Sequence, residues 1–197
     1  MVYLPDLTLV SEYRHDAPIA ALFPNTLGTR VAFLDATQSG HLLSPVDDTI
    51  LPIPKLPAQC KGILWDRIDA GILMAHGAHT FSVYLYSPHS ISGHTLAPID
   101  VSVRYPSPSL SPILLAGGTA ICQEPNGTTS SVVLPTHEAI AMVDRKGGAS
   151  PEKIRVCFHQ TLKIGRLQRA WDLAALLKEQ ELFIALGEAS MRALDIP

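Results

Sequence analysis

Short apolar runs, each closed by Gly, Pro, Asp or Ser, fill the first three quarters of the chain. Pro18-Ile-Ala-Ala-Leu-Phe23, Val31-Ala-Phe-Leu34, His41-Leu-Leu-Ser44 and Thr49-Ile-Leu-Pro-Ile53 follow one another at the length and spacing of strands. A second set runs Lys61–Trp65, Ile72–Ala75, Thr80–Tyr86 and Gly93–Ala97. A third runs Val101–Tyr105, Ile113–Ala116, Thr119–Gln123 and Ser130–Leu134. Val31, Ile72 and Ile113 are 41 residues apart, and the first run of each set ends on an aromatic, Phe23, Trp65 or Tyr105. Four short strands recurring at about 41 residues is the period of a WD-type propeller blade. A β-sandwich also has short strands, but has no reason to return the same pattern at one fixed period. Residues 2 to 14 read as two further strands around Pro5-Asp6, so the chain is read as starting inside a propeller.

After residue 143 the period changes. Asp144-Arg-Lys-Gly-Gly-Ala reads as a linker, and Ser150-Pro-Glu-Lys as a helix start with Ser at the N-cap and Pro in the first turn. Ile154, Cys157, Phe158, Thr161 and Leu162 then share one helical face up to Gly165. A second helix places Leu167, Ala170, Trp171, Ala174 and Leu177 on one stripe, and a third, from about Lys178, buries Leu182, Leu186, Ala189 and Ala193. Gly165 and Ala170 stand five apart between the first two helices, as in tetratricopeptide repeats. The expected fold is therefore mainly β with an α tail. A partial WD-type β-propeller of about three and a half four-stranded blades covers 1–143, a linker 144–150, and the first helices of a tetratricopeptide-like α-solenoid 151–197. Three and a half blades do not close a ring, so the chain alone is expected to self-associate or to be unstable.

Composition narrows the function classes. Apolar residues make up 47% and net charge is −3, so there is material for a core and no basic field for nucleic acid. No apolar run approaches the length of a membrane span, and MVYLPDLTLV lacks the charged start and continuous apolar stretch of a signal peptide. Cys60, Cys122 and Cys157 are an odd number without a C-x-x-C pair, which suits reduced thiols in a cytosolic compartment.

Candidate chemistry reduces to turn and surface residues. His76-Gly-Ala-His79, with His89 and His94, invites a metal reading, but the first pair falls at a turn with no Cys or carboxylate at ligand spacing. Ser39, His41 and Asp35 could be drawn as a triad, yet no G-x-S-x-G elbow exists and the three fall in a hairpin turn. Gly117-Gly118 lacks a phosphate-loop context and reads as a hairpin turn, as does Asp47-Asp48. No catalytic, cofactor or metal residue is expected. Trp171 reads as packing, and Lys163, Arg166, Arg169, Lys178 and Glu179 as a solvated face, of which Arg166 and Arg169 are the candidates for meeting an acidic neighbour.

At residue level the chain resembles the family of WD-repeat subunits of intraflagellar transport complex A. The resemblance rests on Glu12-Tyr-Arg-His15, Leu22-Phe-Pro24, Gly28–Asp35, Ser44–Ile50, Ile53-Pro54, Lys61–Trp65, Leu115–Thr119, Pro135-Thr-His137 and Ala170–Leu173, in the family's order. It implies a non-enzymatic scaffold without cofactor, covering the junction of a second propeller and a solenoid. Its expected partners are other complex A subunits and ciliary cargo adaptors, and its expected location the cytoplasm, the cilium or flagellum and its base. A vesicle-coat scaffold shares the architecture without those ordered segments. A small hydrolase would need a buried titratable cluster, which the sequence does not display.

Overall fold

A computed structural model describes residues 2–3, 9–89, 93–107, 110–145 and 150–193. The chain divides into two compact units, Met1–Ser87 with His94–Val132, and Pro88–Gly93 with Val133–Pro197. The Pro5-Asp6 turn, residues 108–109 of the Pro/Ser stretch and 146–149 of the expected linker lie outside the described residues.

The first unit is built from antiparallel sheets of chain neighbours. β1 (Val2–Tyr3) and β2 (Leu9–Ser11) form a two-stranded pair. β3 (Ile19–Pro24), β4 (Val31–Asp35), β5 (Gly40–Ser44) and β6 (Thr49–Ile53) form a four-stranded sheet in chain order. β7 (Gly62–Trp65), β8 (Ile72–His76), β9 (Thr80–His89) and β10 (Gly93–Arg104) form the next. β11 (Ser111–Ala116), β12 (Thr119–Gln123) and β13 (Thr129–Val133) form the third. The second strands, β4 and β8, are buried on both faces, which is why they read as unbroken apolar runs. β3 alternates along its exposed end, as a strand covered on one face does.

The core lies between the first two four-stranded sheets. Leu34, Leu42 and Ile53 pack with Ile63, Leu73 and Tyr84, all nearly inaccessible. Tyr84 donates its hydroxyl to the Lys55 carbonyl at 3.0 Å, tying β9 to the connection between the sheets. At Gly40 an added Cβ would come within 2.6 Å of Leu56 Cδ1, so the β4–β5 turn takes glycine because of this packing.

The third repeat departs from the expected phase. Of Val101–Tyr105, read as its first strand, residues 101–104 instead supply the end of β10 in the second sheet, and Tyr105 follows it. Ile113 accordingly falls in the first strand of the third sheet, whereas Val31 and Ile72 fall in the second strands of theirs. The cause is the length of β9 and β10, 10 and 12 residues against 5 each for β5 and β6. They lengthen the second repeat beyond 41 residues. Among the described residues the expected three and a half four-stranded blades are thus two four-stranded sheets, one three-stranded sheet and one two-stranded pair.

The second unit is helical: a 3-10 turn Pro135–His137, then α1 (Glu138–Arg145), α2 (Pro151–Lys163), α3 (Leu167–Leu177) and α4 (Gln180–Ala193). Each helix packs on its chain neighbour, α1 on α2, α2 on α3 and α3 on α4. α1 was absent from the expected elements. The Gln160 side chain fixes its start, accepting from the Ala139 amide at 3.0 Å and donating to the Pro135 carbonyl at 2.9 Å. Pro151 opens α2 as expected, but Ser150 makes no side-chain cap bond. Gly165, at φ +75°, turns the chain into α3, and Ala170 is fully buried there. Lys178, read as the start of the last helix, instead ends α3 in the left-handed conformation. The stripe on α3 is Ala170, Leu173 and Ala174; Trp171, expected in packing, is 53% exposed and meets Phe183 edge-on. No helix among the described residues is long and apolar enough to cross a membrane.

Candidate functional site

The first strands of the three larger sheets, β3, β7 and β11, lie side by side with β7 in the middle. Two side chains join them. Trp65, at the end of β7, donates its indole N–H to the Phe23 carbonyl of β3 at 2.8 Å. The next residue, Asp66, is 2% exposed and reaches the other way. Its Oδ1 accepts from the amides of Ile68, Asp69 and Gly117 at 2.8–2.9 Å, and its Oδ2 from Gly118 at 2.7 Å. A backbone bond from Arg67 N to the Leu115 carbonyl at 3.1 Å completes the seam. Gly117-Gly118 is the β11–β12 hairpin, as expected, and both glycines hold positive φ. Leu22, Phe23, Trp65, Arg67, Ile113 and Leu115 line an open groove of about 440 Å³ along this row. Leu22 and Ile113 there are more than half exposed, so the row presents an apolar face suited to protein contact.

The Ser39, His41 and Asp35 group is a turn, as expected, with a member that sequence reading missed. Asp35 Oδ1 accepts from Thr37 N at 2.8 Å, Thr37 Oγ1 at 2.6 Å and Ser39 N at 3.0 Å. Its Oδ2 faces two imidazoles, His15 Nε2 at 3.1 Å and His41 Nε2 at 3.4 Å. The Thr37 hydroxyl bond, working against burial and aided by His15 and the turn amides, holds this carboxyl well below the usual range. Ser39 contributes its amide to Asp35, and its hydroxyl accepts from Thr37 Oγ1 at 3.1 Å rather than meeting a histidine. No triad geometry forms.

The other histidines divide. The His94 ring meets the Tyr86 hydroxyl at Nδ1 and the Asp47 carboxylate at Nε2, so the β5–β6 turn of one sheet is bonded to β9 and β10 of the next. Arg30 lies over the Tyr86 ring, 4.2 Å from its centre. Asp47 also accepts from Thr49 Oγ1 at 2.7 Å, and Asp48, at φ +55°, accepts from Ser11. The pair is a turn, with no acid–base partner geometry. The His89 side chain lies outside the described residues. His76 and His79 flank the β8–β9 turn, where Gly77 N bonds the Thr80 carbonyl at 2.8 Å.

His76 titrates abnormally because burial, reinforced by the Lys61 charge, pushes it down to about 4. The unfolded chain, at about 6.5, therefore takes up this proton first as pH falls. Stability is complete above pH 6.5 and is lost progressively towards pH 4. Thermal melts at pH 7 and pH 5 are expected to differ by on the order of 1 kcal/mol, allowing for partial exposure. In His76→Gln that part of the difference disappears.

Arg166 and Arg169, the candidate interaction residues, flank the start of α3 and are half-buried. Arg155 clamps Glu179 with two nitrogens at 2.6–3.1 Å, tying α2 to the α3–α4 turn, so Glu179 belongs to a fixed ion pair and not to a loose charged face. The roles of Asp66 and His15 across the sheets carried no sequence signal: Gly117 lies 51 residues from Asp66, and Asp35 lies 20 from His15.

The comparisons with known proteins agree with the sheets. A family model described as the WDR19 second beta-propeller matches residues 1–137. WD repeat-containing protein 19 of Mus musculus is 28% identical over 98% of this chain, and that of Homo sapiens 26% over the same share. WD repeat-containing protein dyf-2 of Caenorhabditis elegans is 27% identical over 86%. The chain spans 14% of the length of the two mammalian relatives and 12% of the nematode one.

Proposed function

The chain belongs to the WDR19 second beta-propeller family, and from that membership we propose that it is a non-enzymatic scaffold segment of intraflagellar transport complex A. Its work is protein–protein contact in support of retrograde ciliary transport and cargo entry, in the cytoplasm, the cilium and its base. The observation that carries this reading is the alignment of 98% of the chain with WD-repeat relatives, together with the ordered segments quoted above. The polar clusters support it too, because the carboxylates of Asp35, Asp47 and Asp66 are spent on backbone amides, turn hydroxyls or histidine clamps. α1 to α4 are the start of a tetratricopeptide-like solenoid in this reading. The packing of each helix on its chain neighbour, the left-handed Gly165 and the buried Ala170 support that. Other complex A subunits bind the propeller row and the α3 start, with Arg166 and Arg169 meeting acidic residues. A tagged chain carrying Arg166→Glu and Arg169→Glu is expected to recover at least tenfold less of those subunits than wild type, because like charges now face each other. Unchanged recovery removes the two arginines from the contact.

A further inference from the structure

The His15, Asp35 and His41 cluster has more order than a turn requires. Three donor atoms, one imidazole nitrogen each from His15 and His41 and a carboxylate oxygen of Asp35, lie within 4.8 Å of one another. They come from three places: the β2–β3 connection, the end of β4 and the second residue of β5. Oδ2 stands 3.1 Å from one imidazole and 3.4 Å from the other. Donors about 2.0–2.2 Å from a tetrahedral ion lie about 3.3 Å apart, so these separations are those of a coordination shell as well as of hydrogen bonds.

The supporting residues point the same way. The three bonds on Asp35 Oδ1, from Thr37 and Ser39, fix the carboxylate and leave Oδ2 directed at the two rings. Tyr13 OH lies 2.9 Å from His15 Nδ1, the ring nitrogen away from the cluster, as an orienting partner of a ligating histidine does. Phe33 stacks on His41 at 5.1 Å and meets His15 edge-on at 5.2 Å, which fixes both ring planes. Asp35 is nearly inaccessible, while the His15 and His41 side chains are 13% and 20% exposed, so one side stays open for a fourth ligand from water. All three cysteines are buried thiols outside any disulfide, and burial pushes the Cys60 and Cys122 thiols up.

We propose that His15, Asp35 and His41 form a binding site for one divalent transition ion, with zinc as the fitting case. The ion replaces the ring N–H donated to Oδ2, and each ligating imidazole is neutral with its remaining proton on the other nitrogen. It clips the β2–β3 connection to the β4–β5 hairpin. Two neutral imidazoles and one carboxylate leave a net charge of about +1 on the bound centre.

Titration of the chelator-stripped full chain with zinc chloride at pH 7.5, followed calorimetrically, is expected to give one site per chain. Cobalt(II) is expected to give visible d–d bands at the same stoichiometry. His15→Gln and His41→Gln each weaken binding at least a hundredfold. Tyr13→Phe, which leaves all three ligands in place, weakens it on the order of tenfold. His76→Gln with His79→Gln changes nothing. Absence of stoichiometric uptake by wild type overturns the site, as does uptake that responds to His76 and His79 but not to His15, His41 or Tyr13. Should a histidine variant fail to fold, Tyr13→Phe alone decides between a metal centre and a hydrogen-bonded turn.

Discussion

Asp66→Ala is expected to lower the stability of the first unit by about 3–5 kcal/mol, the cost of leaving its buried backbone donors unpaired. The side chain is 2% exposed and satisfies four amides, two of them on the β11–β12 hairpin of the neighbouring sheet. Alanine leaves those donors facing a void, and each buried unpaired donor costs about 1–3 kcal/mol. Asp66→Asn does not restore the site. Its one oxygen can replace Oδ1, but its NH2 then meets the Gly118 amide donor to donor. Urea unfolding followed by Trp65 fluorescence in a Trp171→Phe background measures the loss, since the chain has only these two tryptophans. A change below about 1 kcal/mol, within the range of one ordinary hydrogen bond, contradicts the staple.

Trp65→Ala is expected to cost about as much, 3–5 kcal/mol, through a different cause. Trp65 is 7% exposed and packs in the core shared by the first two sheets, so truncation opens a large cavity. Trp65→Phe separates the two contributions. It keeps most of the ring volume but leaves the Phe23 carbonyl without its indole donor, at about 1–2 kcal/mol. Urea midpoints read by circular dichroism give both values. If phenylalanine costs as much as alanine, the hydrogen bond and not the packing joins β3 to β7.

These two neighbouring residues also mark the limit of what could be read from the chain. β3 to β8 were legible because each joins an apolar run to turn residues whose chemistry is local, such as Asp35 with Thr37 and Ser39. Period alone misplaced the third repeat. Tyr105 fell where an aromatic was due, yet it follows β10 and packs on Phe81, because β9 and β10 had already outrun the repeat. α1 was missed because it is only 8 residues long and Ile140 is its one deeply buried apolar residue among those described, so its apolar face is too short to mark a period. Trp171 was misplaced by one step of the same pattern: Leu173, two residues on, takes the buried place. The cluster around Asp35 was half legible. Its turn is written in Asp35–Ser39, but the approach of His15 depends on how the β2–β3 connection folds back, which no local spacing records.

In the proposed function this WD-repeat chain works by joining complex A. That function is tested most directly by tagging the chain in ciliated cells, purifying it under mild salt and identifying what comes with it by mass spectrometry. Other complex A subunits are expected at near-stoichiometric amounts, reduced by Arg166→Glu with Arg169→Glu. Recovery of vesicle-coat subunits in their place, or of no complex A subunit at all from a folded chain, contradicts the account.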